Sequence, residues 1–219
     1  MLVIFDLDGT LTDSAPGIVS SFRHALSQVG APEPTGDIAS RVVGPPMHIT
    51  LGSMGLGDRA DEAIAAYRAD YGERGWAVNE MFDGIHEVLA GLHEAGVPMV
   101  VATSKSEPIA RRILEHFGLA QFFQVIAGAS PDGVRSGKAE VIEHALSQLD
   151  EVPSEGVVMV GDRVHDVEGA AAHGIGTVIV DWGYGATDFS DDAVISADLS
   201  RWIIGRVGTP QELREELHV

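Results

Sequence analysis

The sequence contains no cysteine among its 219 residues, and this absence excludes several kinds of chemistry at once. Disulfides, cysteine-rich zinc sites and thiolate nucleophiles all require that side chain. The chain also lacks any run of roughly 18 apolar residues, the length that a membrane-spanning helix needs. No basic segment precedes the short apolar run at residues 2–5, so the N-terminus does not resemble a signal peptide. We therefore expect a cytoplasmic protein without a membrane anchor.

Basic residues are also scarce. The chain has 33 acidic side chains against 14 basic ones, a formal net charge of −19. Nucleic acids and anionic membranes are bound through basic faces, so neither is an expected partner. Only two of the basic residues are lysines, Lys105 and Lys138, and the others are arginines. Because an ammonium and a guanidinium are not interchangeable in a tight site, these two positions become candidates for a specific role.

The chain does have an apolar share of 45%, which is typical of a globular protein. Short β-branched apolar runs predict buried parallel strands at residues 2–5, 98–102, 123–127, 157–160 and 177–180. Stretches with apolar residues at helical spacing lie between the later runs. Strand and helix alternate, so the predicted fold class is α/β with a Rossmann-like parallel sheet. A last edge strand is expected at residues 201–204 and a final short helix at residues 211–217.

The alternation is interrupted after the first strand, where about 80 residues follow without a convincing strand. Helical patterns fill this interval, and Pro45-Pro46 is typical of a helix start. We interpret residues 14–82 as an inserted helical cap, and residues 1–13 and 83–219 as the core domain. The predicted cap has 8 acidic residues and 5 arginines, a charge of −3, which leaves −16 on the rest of the chain. The cap is thus the least acidic part of the molecule.

The first predicted strand runs directly into the segment Asp6-Leu7-Asp8-Gly9-Thr10. Residues two apart on an extended chain point the same way, so both carboxylates face one side, and Gly9 then lets the backbone turn. Two carboxylates about 4 Å apart repel each other by about 4 kcal/mol at an effective dielectric of about 20, so the pair needs a cation or a shared proton. A divalent metal ion would offset this repulsion. The alternatives are a plain Asx turn and an EF-hand calcium loop, and the second is excluded because Gly17 stands where that loop has glutamate.

A second pair of carboxylates, Asp162 and Asp166, follows the strand predicted at residues 157–160. Their spacing suits oxygen ligands for Mg²⁺, with Asp166 one helical turn beyond Asp162. Capping of a helix explains one carboxylate but not two. His165 lies between them, and we interpret it as a solvated side chain.

Polar residues also end the second predicted strand and open the helix after the third. Thr103, Ser104 and Lys105 offer a hydroxyl and backbone N–H groups that suit phosphate oxygens at a helix N-terminus. Lys138 stands at the start of a helix, where its charge opposes the helix dipole. Because a lysine gives no structural benefit at that position, it indicates a specific group with which the ammonium interacts.

This constellation resembles the haloacid dehalogenase superfamily over nearly the whole chain. The four motifs of that family are matched by Asp6 to Thr10, Thr103, Lys138, and Asp162 with Asp166. An insertion directly after the first motif is similar to the type 1 cap of the family. Within this family, the chain resembles the phosphoglycolate phosphatase and 5′-nucleotidase-like branch. The residues that carry this resemblance are Asp13-Ser14, Gly44-Pro45-Pro46 and Asp132-Gly133 with Arg135. The departures are Ser104 and Ala139, where asparagine and proline are frequent, and neither removes a charged group.

The resemblance implies a Mg²⁺-dependent phosphomonoester hydrolase that acts on a small phosphorylated metabolite. Asp6 is the implied nucleophile, which forms an aspartyl phosphate, and Asp8 is the implied general acid and base. Lys138 and Thr103 are implied to balance charge on the transferring oxygens. The implied metal ligands are the Asp6 side chain, the Asp8 main-chain carbonyl and Asp162, with Asp166 as a ligand or as an outer partner.

Further residues are candidates for contacts with the substrate. For phosphate they are Gly9, Thr10, Ser104 and Lys105. In the cap they are Arg41 and His48, beside the turn at residues 44–46, and a solvated helix face is the alternative for both. Trp182 and Tyr184 follow the fifth predicted strand and are expected either to flank the site or to pack at its rim.

Two other classes of function compete with hydrolysis. A phosphotransferase, either a phosphomutase or a protein tyrosine kinase, would use the same aspartates, and only a kinase would need a protein partner. Residues 133–138 lack the spacing and the Ser/Thr of a P-loop, and no protein-kinase catalytic loop is present. A non-catalytic interaction module is the third possibility, and it is disfavoured because every catalytic position is filled.

Overall fold

The computed structural model of the chain describes residues 1–130, 132–190 and 195–218. In chain order its strands are β1 (Leu2–Phe5), β2 (Thr12–Asp13), β3 (Glu80–Met81), β4 (Met99–Ser106), β5 (Val125–Ala129), β6 (Val157–Gly161), β7 (Gly176–Val180) and β8 (Ile203–Val207). The helices are α1 (Ala15–Gln28), α2 (Ala39–Val42), α3 (Met47–Gly52), α4 (Ala60–Glu73), α5 (Ile85–Glu94), α6 (Glu107–His116), α7 (Lys138–Ser147), α8 (Val164–Ala171), α9 (Ala197–Ser200) and α10 (Pro210–Glu216).

Six strands form one parallel sheet in the order β5-β4-β1-β6-β7-β8. All four residues of β1 are completely buried, because helices cover both faces of the sheet. A strand without alternation of apolar and polar residues is the expected sequence for this position. The predicted α/β class with a Rossmann-like parallel sheet is confirmed.

The strands predicted from the apolar runs are all present, with ends shifted by at most four residues. The largest shift is in β4, which continues through the polar residues Thr103 and Lys105 to Ser106. The edge strand begins at Ile203, and the final helix is capped by Thr209, whose hydroxyl accepts a hydrogen bond from the backbone of Glu212 at 3.2 Å. These polar strand ends carry little hydrophobic signal, so only the structure shows where each strand stops.

Helices α1 to α4 fill the interval between β2 and β3. These two strands pair antiparallel, with Thr12 opposite Met81 and Asp13 opposite Glu80. The expectation that the interval after β1 contains no strand is therefore wrong, since strands of two residues are too short to produce a recognisable pattern. The chain enters and leaves the helical segment side by side, next to the predicted domain boundaries.

Among the residues that the structure describes, the buried apolar side chains form three clusters. Two lie on the faces of the large sheet, where they include Phe5 and Ile4 on opposite sides of β1. The third belongs to the inserted helices and is built around Phe22, Leu26, and the rings of Tyr67 and Tyr71. The cap segment thus has an apolar core of its own. No helix in the described ranges is both long and apolar enough to cross a membrane.

Candidate active site

The residues of the four motifs meet at the carboxyl ends of β1, β4 and β6. Asp6 follows β1, Asp162 follows β6, and Lys138 is the first residue of α7. Open parallel sheets bind ligands at this edge, because loops diverge there and helix N-termini point toward it. Four segments that are far apart in the sequence therefore supply one site.

Three carboxylates form the acidic part of the site. Oxygen atoms of Asp6, Asp162 and Asp166 lie within 4.8 Å of one another, and all three residues are buried. Burial raises the pKa of Asp162 well above its ordinary value, and the neighbouring charges of Asp166 and Asp6 add to this effect. Burial also raises the pKa of Asp166, although the ammonium of Lys138 opposes it. Such a cluster is electrostatically costly without a cation.

Lys138 supplies one cation to this cluster. Its Nζ lies 2.8 Å from Asp6 Oδ1, 2.8 Å from Asp166 Oδ1 and 3.0 Å from the carbonyl oxygen of Ala102, to which it donates a hydrogen bond. Burial alone would lower the pKa of this lysine, but Asp166 and Asp6 outweigh burial and raise it. The ammonium is therefore charged, and its three contacts match its three donors. A planar guanidinium does not reproduce this arrangement.

The remaining atoms of the cluster fit a small divalent cation. Asp162 Oδ1 is buried without a hydrogen-bond partner among the described residues, whereas Oδ2 accepts a hydrogen bond of 2.7 Å from the backbone N–H of Tyr184. A side chain at Gly9 would collide with the Asp162 carboxylate, so the first motif approaches that group as closely as a glycine allows. Buried carboxylate oxygens are the ligands that Mg²⁺ prefers, and the residues present fit that ion.

Asp166 is held on both sides. Its Oδ1 pairs with Lys138, and its Oδ2 accepts a hydrogen bond of 2.9 Å from the backbone N–H of Arg163. Asp162 is thus the member of the second pair with an oxygen that no described residue engages. An oxygen of Asp166 also belongs to the three grouped oxygens, so both roles that the sequence resemblance left open for Asp166, metal ligand and outer partner, stay predictions.

Asp8 lies beside the cluster, and its carboxylate is not one of the three grouped oxygens. Ser14 donates a hydrogen bond of 2.6 Å to Asp8 Oδ1, and Lys105 Nζ lies 2.9 Å from Asp8 Oδ2. The two aspartates of the first motif therefore have separate lysine partners, Lys138 for Asp6 and Lys105 for Asp8. This separation gives them different environments, as a nucleophile and a proton donor require.

The second motif lies on the last residues of β4. Thr103 is buried, and its hydroxyl accepts a hydrogen bond of 3.3 Å from the backbone N–H of Lys105. The Lys105 ammonium donates a hydrogen bond of 2.8 Å to the hydroxyl of Tyr71 in α4. Burial would lower the pKa of Lys105, but Asp8 and the two tyrosines Tyr71 and Tyr67 outweigh it and raise that pKa.

Gly9 and Thr10, both predicted to bind phosphate, engage their N–H groups within their own loop. Gly9 has a φ of +85° and donates to the carbonyl of Thr12 at 2.9 Å, and Thr10 donates to the carbonyl of Leu7 at 3.3 Å. Thr10 is completely buried, and its carbonyl accepts a hydrogen bond of 3.1 Å from Trp182 Nε1. Neither residue is part of the walls of the two cavities between cap and core.

In the described part of the chain, two cavities lie between the cap helices and the core. The smaller, of about 350 Å³, is lined by Asp8, Ser104 and Lys105 on the core side and by His48 on the cap side. The larger, of about 870 Å³, is lined by Arg41, and Lys138 lies in its wall. Both predicted cap residues therefore face space that leads to the motifs, one in each cavity.

Three residues connect the site to the cap through contacts that the sequence did not predict, although Tyr184 was expected at the site or its rim and Ser14 was noted for the family resemblance. Ser14 contacts Asp8 as described above. The hydroxyl of Tyr184 donates a hydrogen bond of 2.5 Å to Asp13 and accepts one of 3.1 Å from the backbone N–H of Ala15, so this residue braces the entry to the cap. The guanidinium of Arg163 donates to the carbonyl of Val43 in the cap. Ser14 and Arg163 lie near a motif, and Tyr184 follows the fifth predicted strand, which was the available signal. The contacts of Tyr184 and Arg163 could not be predicted, because their partners lie 120 residues or more away in the sequence.

Comparisons with known proteins agree with this geometry. The sequence profile of the haloacid dehalogenase-like hydrolases matches residues 3–180. The chain is 63% identical over 218 residues to the tyrosine-protein kinase PtkA of Mycobacterium tuberculosis, a match that covers 100% of this chain and 72% of the relative. A solved structure of that kinase superposes with a TM-score of 0.85 at 62% identity, covering 100% of this chain and 98% of the other. The general similarity of the sequence suggests a particular likeness to the mycobacterial protein tyrosine kinase A. These matches confirm that likeness.

Relatives that carry phosphatase names are also similar. A 5′-nucleotidase of Pseudomonas aeruginosa is 38% identical over 188 residues, which cover 85% of each chain. The crystal structure of a predicted phosphatase from Clostridium acetobutylicum has a TM-score of 0.86 at 35% identity and covers 99% of this chain and 97% of the other. The chain therefore belongs to the haloacid dehalogenase-like hydrolase family. The predicted enzyme class, a phosphatase of this family, is confirmed.

Proposed function

We propose that this protein is a Mg²⁺-dependent phosphomonoester hydrolase that works through an aspartyl phosphate on Asp6. The observation that carries this proposal is the cluster of Asp6, Asp162 and Asp166 around the ammonium of Lys138, with Asp8 beside it. A dianionic phosphate approaches four buried carboxylates only where cations offset them. The proposed substrate is a small phosphorylated metabolite, phosphoglycolate-like or nucleotide-like, and no nucleic-acid or membrane partner is part of the proposal.

The proposed reaction consists of two successive displacements at phosphorus, and each residue has a separate role in them. An oxygen of Asp6 attacks phosphorus, the bond to the leaving oxygen breaks, and Asp8 donates a proton to that oxygen. Asp8 then takes a proton from the water that attacks the aspartyl phosphate, which releases inorganic phosphate and restores Asp6. Lys138 and Thr103 balance charge on the transferring oxygens throughout. Asp6, Asp162 and the main-chain carbonyl of Asp8 would hold Mg²⁺, which would supply the remaining positive charge.

Hydrolysis of a panel of phosphomonoesters, measured by release of inorganic phosphate, tests this proposal. We expect activity that chelator abolishes and Mg²⁺ restores, and that Asp6→Asn lowers by roughly 1000-fold or more, because an amide is a far weaker nucleophile. Asp83→Asn is the matched control, since this exposed aspartate precedes α5 away from the cluster. Equal phosphate release by the wild-type protein and the Asp6 variant would show that the proposal is wrong.

A second candidate function is phosphoryl transfer to an acceptor other than water. The 63% identity to a protein named as a tyrosine kinase favours it, and in that case a protein substrate would be the partner. Incubation with ATP labelled on the γ-phosphate separates the two functions. Label on protein tyrosine supports the kinase, and label that never reaches protein tyrosine, in a protein that hydrolyses phosphomonoesters, supports the hydrolase. A phosphomutase would instead pass the phosphoryl group to a sugar phosphate in preference to water.

A further inference from the structure

The carboxylate of Asp8 is linked to the cap through two successive polar contacts. Lys105 Nζ lies 2.9 Å from Asp8 Oδ2 and donates a hydrogen bond of 2.8 Å to the hydroxyl of Tyr71. Lys105 belongs to the core strand β4, whereas Tyr71 belongs to the cap helix α4. The side chains of Lys105 and Asp8 are only 6% and 10% exposed, so water does little to replace either contact.

Tyr71 restrains the ammonium in two ways. Its hydroxyl is the acceptor just described, and the face of its ring lies 4.5 Å from Lys105 Nζ, measured to the ring centroid. Ring and hydroxyl together hold the ammonium in one position. The lysine therefore presents a fixed charge to Asp8, and the restraint comes from the cap.

We propose that Tyr71 is a positioning residue, which acts through Lys105 to hold Asp8 in the orientation needed for proton transfer to the leaving group. This inference rests on the proposed function. Proton transfer depends steeply on the distance and angle between the donor and the leaving oxygen. Removal of the tyrosine hydroxyl frees the ammonium on one side, and the Asp8 carboxylate then samples orientations that do not reach that oxygen.

The chain offers a matched control in Tyr67, one helical turn earlier on α4. Its ring stacks on that of Tyr71 with a centroid distance of 5.5 Å and an interplanar angle of 8°, and both residues are buried. Among the described residues, Lys105 donates its hydrogen bond to the hydroxyl of Tyr71 and not to that of Tyr67. Phenylalanine at either position keeps the ring, so the two variants differ only in which hydroxyl is lost.

The test compares phenyl phosphate with p-nitrophenyl phosphate, two substrates of the same shape apart from one nitro group. The nitro group makes the phenolate a good leaving group that needs little help from an acid. We expect Tyr71→Phe to lower kcat/KM by about 10-fold for phenyl phosphate and by less than about 3-fold for p-nitrophenyl phosphate. Tyr67→Phe is expected to leave the ratio of the two kcat/KM values at that of the wild-type protein.

A double-mutant cycle checks that Tyr71 acts through Lys105. In the background of Lys105→Met, Tyr71→Phe is expected to change the ratio no further. Circular dichroism and thermal melting of each variant show that it is folded. Equal losses on both substrates, or the same ratio change in the Tyr67 variant, would overturn the role of Tyr71. A wild-type protein that hydrolyses no phosphomonoester would instead overturn the proposed function, and the positioning role with it.

Discussion

Asp162 combines two properties that are costly in a protein interior. It is completely buried, and one of its carboxylate oxygens has no hydrogen-bond partner among the described residues. Burial and the nearby carboxylates Asp166 and Asp6 raise its pKa, so the metal-free site retains protons at pH values where an ordinary carboxyl group is ionised. A cation at this position must displace those protons.

The affinity for Mg²⁺ is therefore expected to fall as the pH is lowered. A raised pKa means that the protonated, non-binding form of the site becomes populated at a higher pH than for a free aspartate. Calorimetric titration with Mg²⁺ at several pH values, in two buffers of different ionisation enthalpy, measures both the affinity and the number of protons released. Mg²⁺ titration of the Asp162→Asn variant is the control. An affinity that is constant with pH, without proton release, would contradict the prediction.

At the same scale, the sequence indicated which residues carry charge but not how they pair. Lys138 and Lys105 were recognisable because arginine occupies every other basic position. The structure assigns one lysine to Asp6 and the other to Asp8. That division depends on where α7 begins and on how far β4 extends, and neither is encoded in the spacing of the motifs. Tyr71 was not predicted at all, because its apolar helical position is also typical of a core residue.

Among the elements, α8 connects the second acidic pair to the cap. Arg163 immediately precedes this helix, and its Nε donates a hydrogen bond of 2.7 Å to Asp188 while its Nη1 donates to the carbonyl of Val43. Arg163 is buried, and Gly44 packs against it, since a side chain there would lie 3.0 Å from its Nη1. The cap turn is thereby fixed to the core beside both cavities.

Loss of this connection is expected to weaken substrate binding more than chemistry. Arg163→Met should raise KM by about 5-fold or more and change kcat by less than about 3-fold, because the backbone N–H that holds Asp166 is retained. Steady-state kinetics on the best substrate of the panel measures both constants. Arg201→Met is the control, since this side chain is 65% exposed and is not part of the walls of the two cavities. A fall in kcat with KM unchanged would contradict the assigned role.

The positions of strands and helices were predictable where one sequence pattern, an apolar run or helical spacing, dominates. Apolar runs located the strands of the large sheet, and helical spacing located the helices that cover it. The ribbon of Thr12–Asp13 with Glu80–Met81 could not be found in this way, because pairing over 69 residues of sequence leaves no local pattern. Contacts between cap and core, such as that of Arg163 with Val43, likewise depend on docking of two separately packed units.

For the whole molecule, charge is the dominant property. The site accounts for four of the 33 acidic residues, so most of the net charge of −19 is distributed over the rest of the chain. Mutual repulsion of like charges opposes the compact state, and salt screens it. The same excess of acidic side chains repels an anionic substrate everywhere except near the two lysines and the less acidic cap.

The melting temperature is consequently expected to rise by a few degrees when NaCl is raised from about 0.02 M to about 0.3 M, over which the screening length falls roughly from 20 to 6 Å. Differential scanning calorimetry at pH 8 in the presence of chelator measures this shift without a contribution from bound Mg²⁺. Sucrose at equal osmolality controls for effects of the solute on water. A melting temperature that falls with salt would show that attractive ion pairs outweigh repulsion.

The paired strands β2 and β3 have a consequence beyond the stability of this protein. Because the chain leaves the core and returns to it at adjacent points, we expect exchange of the segment between them to leave Asp6, Lys138 and Asp162 in place. The nucleophile and the acidic cluster therefore belong to the core, whereas the contacts of Asp8 with Ser14 and, through Lys105, with Tyr71 belong to the exchanged segment. We expect hybrids that carry the cap of a relative and retain Ser14 and Tyr71 to keep the site and to differ in substrate preference.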